Sequence, residues 1–383
     1  MVGAAAAGHR GPMTTPAPTG SAIRPEAGSR GSRVRNLGPN WYASVMGTAI
    51  VANAGAALPW HIPGLRTACT LVWALSAVLL AVLLVTRAAH WARHGDQARA
   101  HLLDPAMAPF YGCLSMALLA VGGGTMLVGK DWIGVGAAVA VDAVLFTAGT
   151  AVGLLVAAAI PCLMATRHEL KPGSASPVWI LPVVAPMVAA ALGPLLVPHL
   201  PAGQWQQALL LGCYAMFGLS LLATVFLLPI VFARLLAGPR LPLALTPTLF
   251  LVLGPLGQST TAVNNFADVA PGVLRAPYAE GFRMLAVLYG VPTMGFALLW
   301  FALSCAVVRR ARRQGMGFSM TWWALTFPVG TCVTGAEGLA RHTGVTACAW
   351  IAGGLYVFLV LAWLVAGAHT LRGLFAGTLA PAS

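Results

Sequence analysis

Apolar residues run along the chain in blocks of about 20, parted by short polar stretches that hold most of the charge. At 1.5 Å of rise per residue, one such block crosses a hydrocarbon layer of roughly 30 Å as an α-helix. The two-residue alternation of a membrane barrel strand is missing. The pattern predicts ten helices, over residues 40–58, 65–86, 107–128, 134–164, 178–197, 206–232, 244–264, 282–308, 321–340 and 346–368. Short connections make consecutive helices antiparallel neighbours. Residues 1–36, rich in Gly, Pro, Ser, Thr and Arg, read as a disordered N-terminal tail with no signal-peptide pattern. A membrane domain spans 37–372, and 373–383 form a short second tail.

Composition narrows the class. Hydrophobic residues make up 58% of the chain and charged ones 8%, against about 25% charged in ordinary soluble domains. A water-soluble globule of 383 residues needs more surface charge than this. The net charge of +13 sits in loops and not on one basic face, which argues against a nucleic-acid partner. Placed on alternate loops, 17 of the 22 Lys and Arg residues fall on one side of a ten-span layout and five on the other. The positive-inside rule then puts both termini in the cytoplasm and the chain in the cell membrane.

Helix-disturbing residues recur on the odd-numbered blocks, with Gly47, Gly123, Gly193, Gly254 and Pro328 as markers. Pro194 and Pro255 stand beside two of them. A freed carbonyl in a membrane helix has to be satisfied by protein or by water in a cavity. The pattern fits either a fivefold hairpin repeat bent around a central path or the ordinary frequency of Gly and Pro in membrane helices. Neutral polar residues cluster on the same blocks: Ser44 and Thr48 on the first, Gln258 and Ser259 on the seventh, Thr331 on the ninth. They suit either solvation of a passing ion or hydrogen bonds between helices. Asp142, within the fourth block, is either a proton-coupling carboxylate or a helix-contact group. Glu337 is a solvated carboxylate or the partner of Arg341, four residues on.

No catalytic motif appears, and every His lies at a block end or in a loop. The seven Cys form no C-x-x-C pair, so they read as small core residues with no metal site and no disulfide framework. No cofactor is expected, and transport is a better class than catalysis.

Three segments carry a family resemblance: Gly38-Pro-Asn-Trp-Tyr-Ala-Ser-Val-Met-Gly-Thr-Ala-Ile-Val51, Gly254-Pro-Leu-Gly-Gln-Ser259 and Trp322-Trp-Ala-Leu-Thr-Phe-Pro328. Together they resemble the tellurite-resistance/dicarboxylate transporter family of slow-type and voltage-dependent anion channels, over roughly residues 36–372. The resemblance implies an all-α membrane protein, with ten transmembrane helices as five hairpins around a central pore lined by the odd helices. It also implies a homotrimer and a pore-plugging Phe on the ninth helix, a position matched by Phe327. Ala49 stands where the family often has a second glycine after Gly47-Thr48, and the long regulatory N-terminal extension of the plant channels is missing. The implied function is passage of organic acids of the malate or C4-dicarboxylate type, or of small inorganic anions, through a Phe-gated pore in the lipid bilayer. The alternatives are a proton-coupled dicarboxylate carrier and a membrane enzyme or resistance factor that transports nothing.

Overall fold

A computed structural model describes Gly3 and residues 37–170 and 173–376. The expected tail over 1–36 falls, Gly3 apart, outside the described residues. Among them the chain is helical without a strand. Each of the ten apolar blocks carries a helix: α1 Tyr42–Ala57, α2 Leu65–Arg93, α4 Gly112–Gly124, α5 Val135–Thr166, α6 Ile180–Leu192, α7 Gln204–Ala237, α8 Leu253–Val273, α9 Ala276–Arg313, α10 Phe327–Thr343 and α11 Thr346–Ala376. A short helix that the pattern did not predict, α3 Gly95–Leu103, lies between the second and third blocks. The last helix runs to Ala376, past the expected start of the second tail.

Seven of these segments are long and apolar enough to cross a membrane. The three that fall short have physical reasons. Helix α1, continuous with its entry at Pro39–Trp41, is diluted by Asn40, Ser44, Thr48 and Asn53; α10 is parted from its entry at Thr326 and has 17 residues; and α8 carries Gln258, Ser259, Thr260, Thr261, Asn264 and Asn265 in its middle.

Burial sorts the helices into two sets. In the apolar windows of α2, α7 and α11, 22% of residues are buried, and in those of α5 and α9, 28%. The windows around α4 and α6 are 89% and 83% buried. Nearly every residue of α1 is also covered. The covered helices form a closed ring: α1 packs on α4, α4 on α6, α6 on α8, α8 on α10, and α10 back on α1. Each outer helix packs on the inner helix that precedes it in sequence and touches the next inner one. The large apolar side chains of the outer set, such as Leu222, Phe226 and Leu299, point away from the protein, as a hydrocarbon solvent requires.

Every inner helix is entered through a tighter 3-10 stretch: Pro39–Trp41, Ala108–Tyr111, Pro177–Trp179, Leu243–Val252 and Met320–Leu325. Proline favours such starts, because its fixed φ suits the first turn and its missing N–H has no partner there anyway. At the opposite end, Gly344 takes φ +70° and lets α10 turn into α11 within two residues.

Candidate functional site

The inner helices run parallel, and their contacts fix a common level. Asn53 Nδ2 donates to the Ala120 carbonyl (2.9 Å) and Asn265 Nδ2 to the Ala191 carbonyl (2.7 Å). A Cβ added at Gly257 would meet the backbone of Thr331 and Cys332 at 2.5–2.6 Å, and one at Gly338 would meet Asn264 at 2.7 Å. Thr261 and Thr334 share a hydroxyl hydrogen bond of 2.7 Å. Thus α8 and α10 advance side by side, 74 residues apart in sequence. That register brings Gly254 to the level of Phe327 and Pro328.

At this level the ring has an opening. Gly254 is buried, yet a Cβ there would meet no atom within 4 Å. One turn further along the same face, Gln258 is 3% exposed, and its Oε1 has no hydrogen-bond partner among the described residues. A buried carbonyl oxygen without a partner marks a place where a polar partner is missing. Phe327, 3% exposed, stands at the first position of α10, where the 3-10 winding gives way to α. It makes no aromatic ring contact among the described residues, although the molecule has many such pairs.

The other expected polar positions are committed elsewhere. Ser44 donates to the Trp41 carbonyl (2.8 Å). Thr48 donates to the Ser44 carbonyl (2.7 Å) and accepts from Trp363 Nε1 on α11 (3.1 Å). The Ser259 hydroxyl accepts from Tyr289 on α9 (2.9 Å). Thr331 donates to the Pro328 carbonyl (2.7 Å). Thr48 and Ser259 tie inner helices to outer ones, Ser44 and Thr331 bond back within their own segments, and Gln258 is the expected polar residue whose side-chain oxygen has no partner among the described residues.

The helix markers also divide. Gly47 interrupts nothing: it lies inside a continuous helix, where its missing side chain admits Thr326 and Trp323. Gly254, Pro255 and Pro328 sit in the first turns of α8 and α10, where the winding changes. Gly123 precedes a π-helical stretch, Thr125–Gly129, and Gly193 and Pro194 form a 3-10 stretch after α6. Gly123 and Gly193 lie about nine residues, or ~14 Å, beyond the level of Gly47. The five disturbances therefore do not share one depth, because each helix meets its own neighbour.

Asp142 is 3% exposed on the outer helix α5, with its carboxylate against the missing side chain of Gly122 on α4. It is not brought together with Phe327 and Gln258. No Lys or Arg lies on the inner helices before Arg341. Charge gathers at the ends. At one end Arg341 binds Glu337 (2.8 Å), as the four-residue spacing suggested, and also Asp268 (2.8 Å), which His342 joins at 3.2 Å. Arg341, Asp268 and His342, together with Arg283, line a cavity of about 420 Å³. At the other end the buried Arg87 binds the Leu37 carbonyl and the Tyr111 hydroxyl, beside stacked His90 and His101. Sequence reading missed Asp268 and this knot, because their partners are remote along the chain. No cluster able to hold a metal ion occurs among the described residues.

A ring of parallel helices with a neutral, partly empty interior and charged ends describes a transmembrane permeation protein. The voltage-dependent anion channel (SLAC1) family model matches residues 36–371, and the chain belongs to that family. It is 26% identical over 345 residues to an uncharacterized transporter of Methanocaldococcus jannaschii, covering 90% of this chain and 95% of the relative. It is also 26% identical over 343 residues to a sulfite efflux pump of Arthroderma otae, covering 85% and 89%. The protein is thus a multi-pass membrane protein of a family of anion transporters.

Proposed function

We propose that each chain conducts small anions through the axis of its inner ring, past Gly254 and Gln258, and that Phe327 closes this path. The observation that carries the reading is the buried Gly254, with open space at the level of an aromatic residue that stacks on no other ring among the described residues. In this reading all ten helices cross the plasma membrane as five hairpins, the termini face the cytoplasm, and the chains assemble as trimers. An apolar ring at a constriction blocks ions sterically and by dewetting. The path offers neutral amide donors and no fixed cation, so an anion is attracted weakly and leaves quickly. Such a site suits throughput better than tight capture.

The sulfite efflux pumps among the relatives favour a small inorganic oxyanion, and malate and other C4-dicarboxylates stand second. Proteoliposomes loaded in turn with sulfite, nitrate, chloride and malate test the reading. Sulfite or another small anion should pass in the wild type, and faster in Phe327→Ala. No flux of any anion from either protein would remove it. A proton-coupled carrier requires a titrating group on the path. Asp142 lies off it, so Asp142→Asn should leave flux without a strict pH gradient.

A further inference from the structure

On the outer surface, α7 and α9 diverge at their C-terminal ends around a groove of about 410 Å³. Its walls are apolar, formed by Val231, Phe232, Leu235, Leu303 and Val307. Its rim carries three guanidinium groups, from Arg234, Arg240 and Arg310. The apolar blocks of these two helices end at residues 232 and 308. The walls therefore lie at the edge of the hydrocarbon and the rim at headgroup depth.

The three arginines differ in what they already hold. Arg234 turns inward and donates to the carbonyls of Ser174 and Ala175 from Nη1, and to that of Pro239 from Nε. That fixes the segment after α7 against the inner-helix entry at Pro177. Arg240 and Arg310 are exposed, and no acidic residue is among the groove's lining. A run of four arginines, 309, 310, 312 and 313, closes α9 and adds to the positive field. An apolar slot open to acyl chains, topped by guanidinium groups of Arg240 and Arg310 that form no ion pair among the described residues, has the form of a lipid site. Arginine's planar fork matches phosphate oxygens, and basic pockets between membrane helices recognise anionic headgroups.

We propose that this groove binds one anionic phospholipid, its acyl chains against Phe232, Leu235 and Leu303 and its phosphate between Arg240 and Arg310. The ligand is distinct from the transported anion, and the site lies outside the inner ring. The groove also borders Thr246 and Leu249, in the 3-10 entry to α8, so a bound lipid would brace the helix that carries Gly254.

The test is a titration of detergent-purified full-length protein with short-chain phosphatidylglycerol and, separately, phosphatidylcholine. Phosphatidylglycerol should bind about tenfold to thirtyfold more tightly, the factor two basic residues supply near a headgroup. The double substitution Arg240→Gln with Arg310→Gln should bring the two lipids to equal affinity. Leu235→Trp, which fills the slot and keeps the charges, should weaken both. Thermal melting and elution volume in the absence of lipid establish that each variant is folded. Equal affinity of the two lipids for the wild type would overturn the proposal. So would competition by inorganic phosphate at millimolar concentration, which would mark a free-anion site. Loss of the native oligomer in the arginine double variant would also overturn it, since the groove would then be a contact between copies of the chain.

Discussion

The inner and outer helices draw on the same apolar residues but face different neighbours. An outer helix such as α7 runs 34 residues with one face on the protein and the rest toward lipid. An inner helix such as α1 is 16 residues long and covered on almost all sides by other helices. Glycine shows the contrast most plainly. On the outer helices, Gly212 and Gly295 are exposed with nothing near a would-be Cβ. On the inner ring, Gly257 and Gly338 lie against the backbone or side chains of the facing helix. Lipid tolerates many shapes, whereas a ring of five helices closes only where small residues allow it. Hydropathy alone therefore does not separate the two sets: it picks out the five outer helices together with the well-buried α4 and α6, and it passes over the other three inner helices.

The largest effect should come from closing a contact the ring needs. Gly257→Val would drive atoms into the Cys332 amide and should cost about 3 kcal/mol or more, as overpacking against backbone does. Gly212→Ala on the lipid face should be neutral or stabilising by about 0.5–1 kcal/mol. Reversible unfolding in detergent compares the two, and equal effects would erase the distinction between the sets.

Next in size is Phe327→Ala. A Phe packed on all sides loses about 3–5 kcal/mol on truncation, whereas a gate next to open space should lose less and raise anion flux. Unfolding and flux measured on one preparation separate these outcomes. A large stability loss with unchanged flux would return Phe327 to ordinary packing.

The Thr261–Thr334 hydroxyl pair joins two inner helices. A double-mutant cycle with Thr→Val at each position should give a coupling of about 1 kcal/mol. The same cycle on Thr48 and Trp363, which join an inner helix to an outer one, should give a similar value. A coupling near zero in either would show that the contact is not formed in the membrane.

The smallest effect is set by pH at the Arg87 end. Burial, then the nearby Arg87 charge, then His90 hold the His101 pKa below its usual 6.5, against the opposing pull of Asp104. His101 therefore resists protonation when folded and accepts it when unfolded. Its contribution is intact above pH 6.5 and is lost as pH falls below that value. The melting temperature should drop at acid pH in the wild type and drop less in His101→Gln. Parallel profiles would place the acid sensitivity elsewhere.

Much of this was readable from the sequence. All ten helical blocks could be placed, because each is an apolar run between polar loops. The Glu337–Arg341 pair was one of two readings open for Glu337, the other being a solvated carboxylate. The closure of the ring could not be read, because inner helices are covered on almost all sides and their neighbours lie far along the chain. Gly254 and Gly257 stood out together in one motif, yet one faces open space and the other a neighbouring backbone. Three residues of helical rotation and the register with α10 make that difference. Thr48 and Ser259 could be read as pore residues because a hydroxyl can solvate a passing ion. Their partners, Trp363 and Tyr289, lie far along the chain.

The path itself can be probed by a cysteine at Gly254. In a background with the seven native cysteines replaced, Gly254→Cys combined with Phe327→Ala should react with a small anionic methanethiosulfonate reagent, and the reaction should block flux. Leu222→Cys, exposed to lipid on α7, should stay unmodified. A Gly254→Cys thiol that remains unreactive even after the Phe327 ring is removed would contradict an aqueous path through the inner ring.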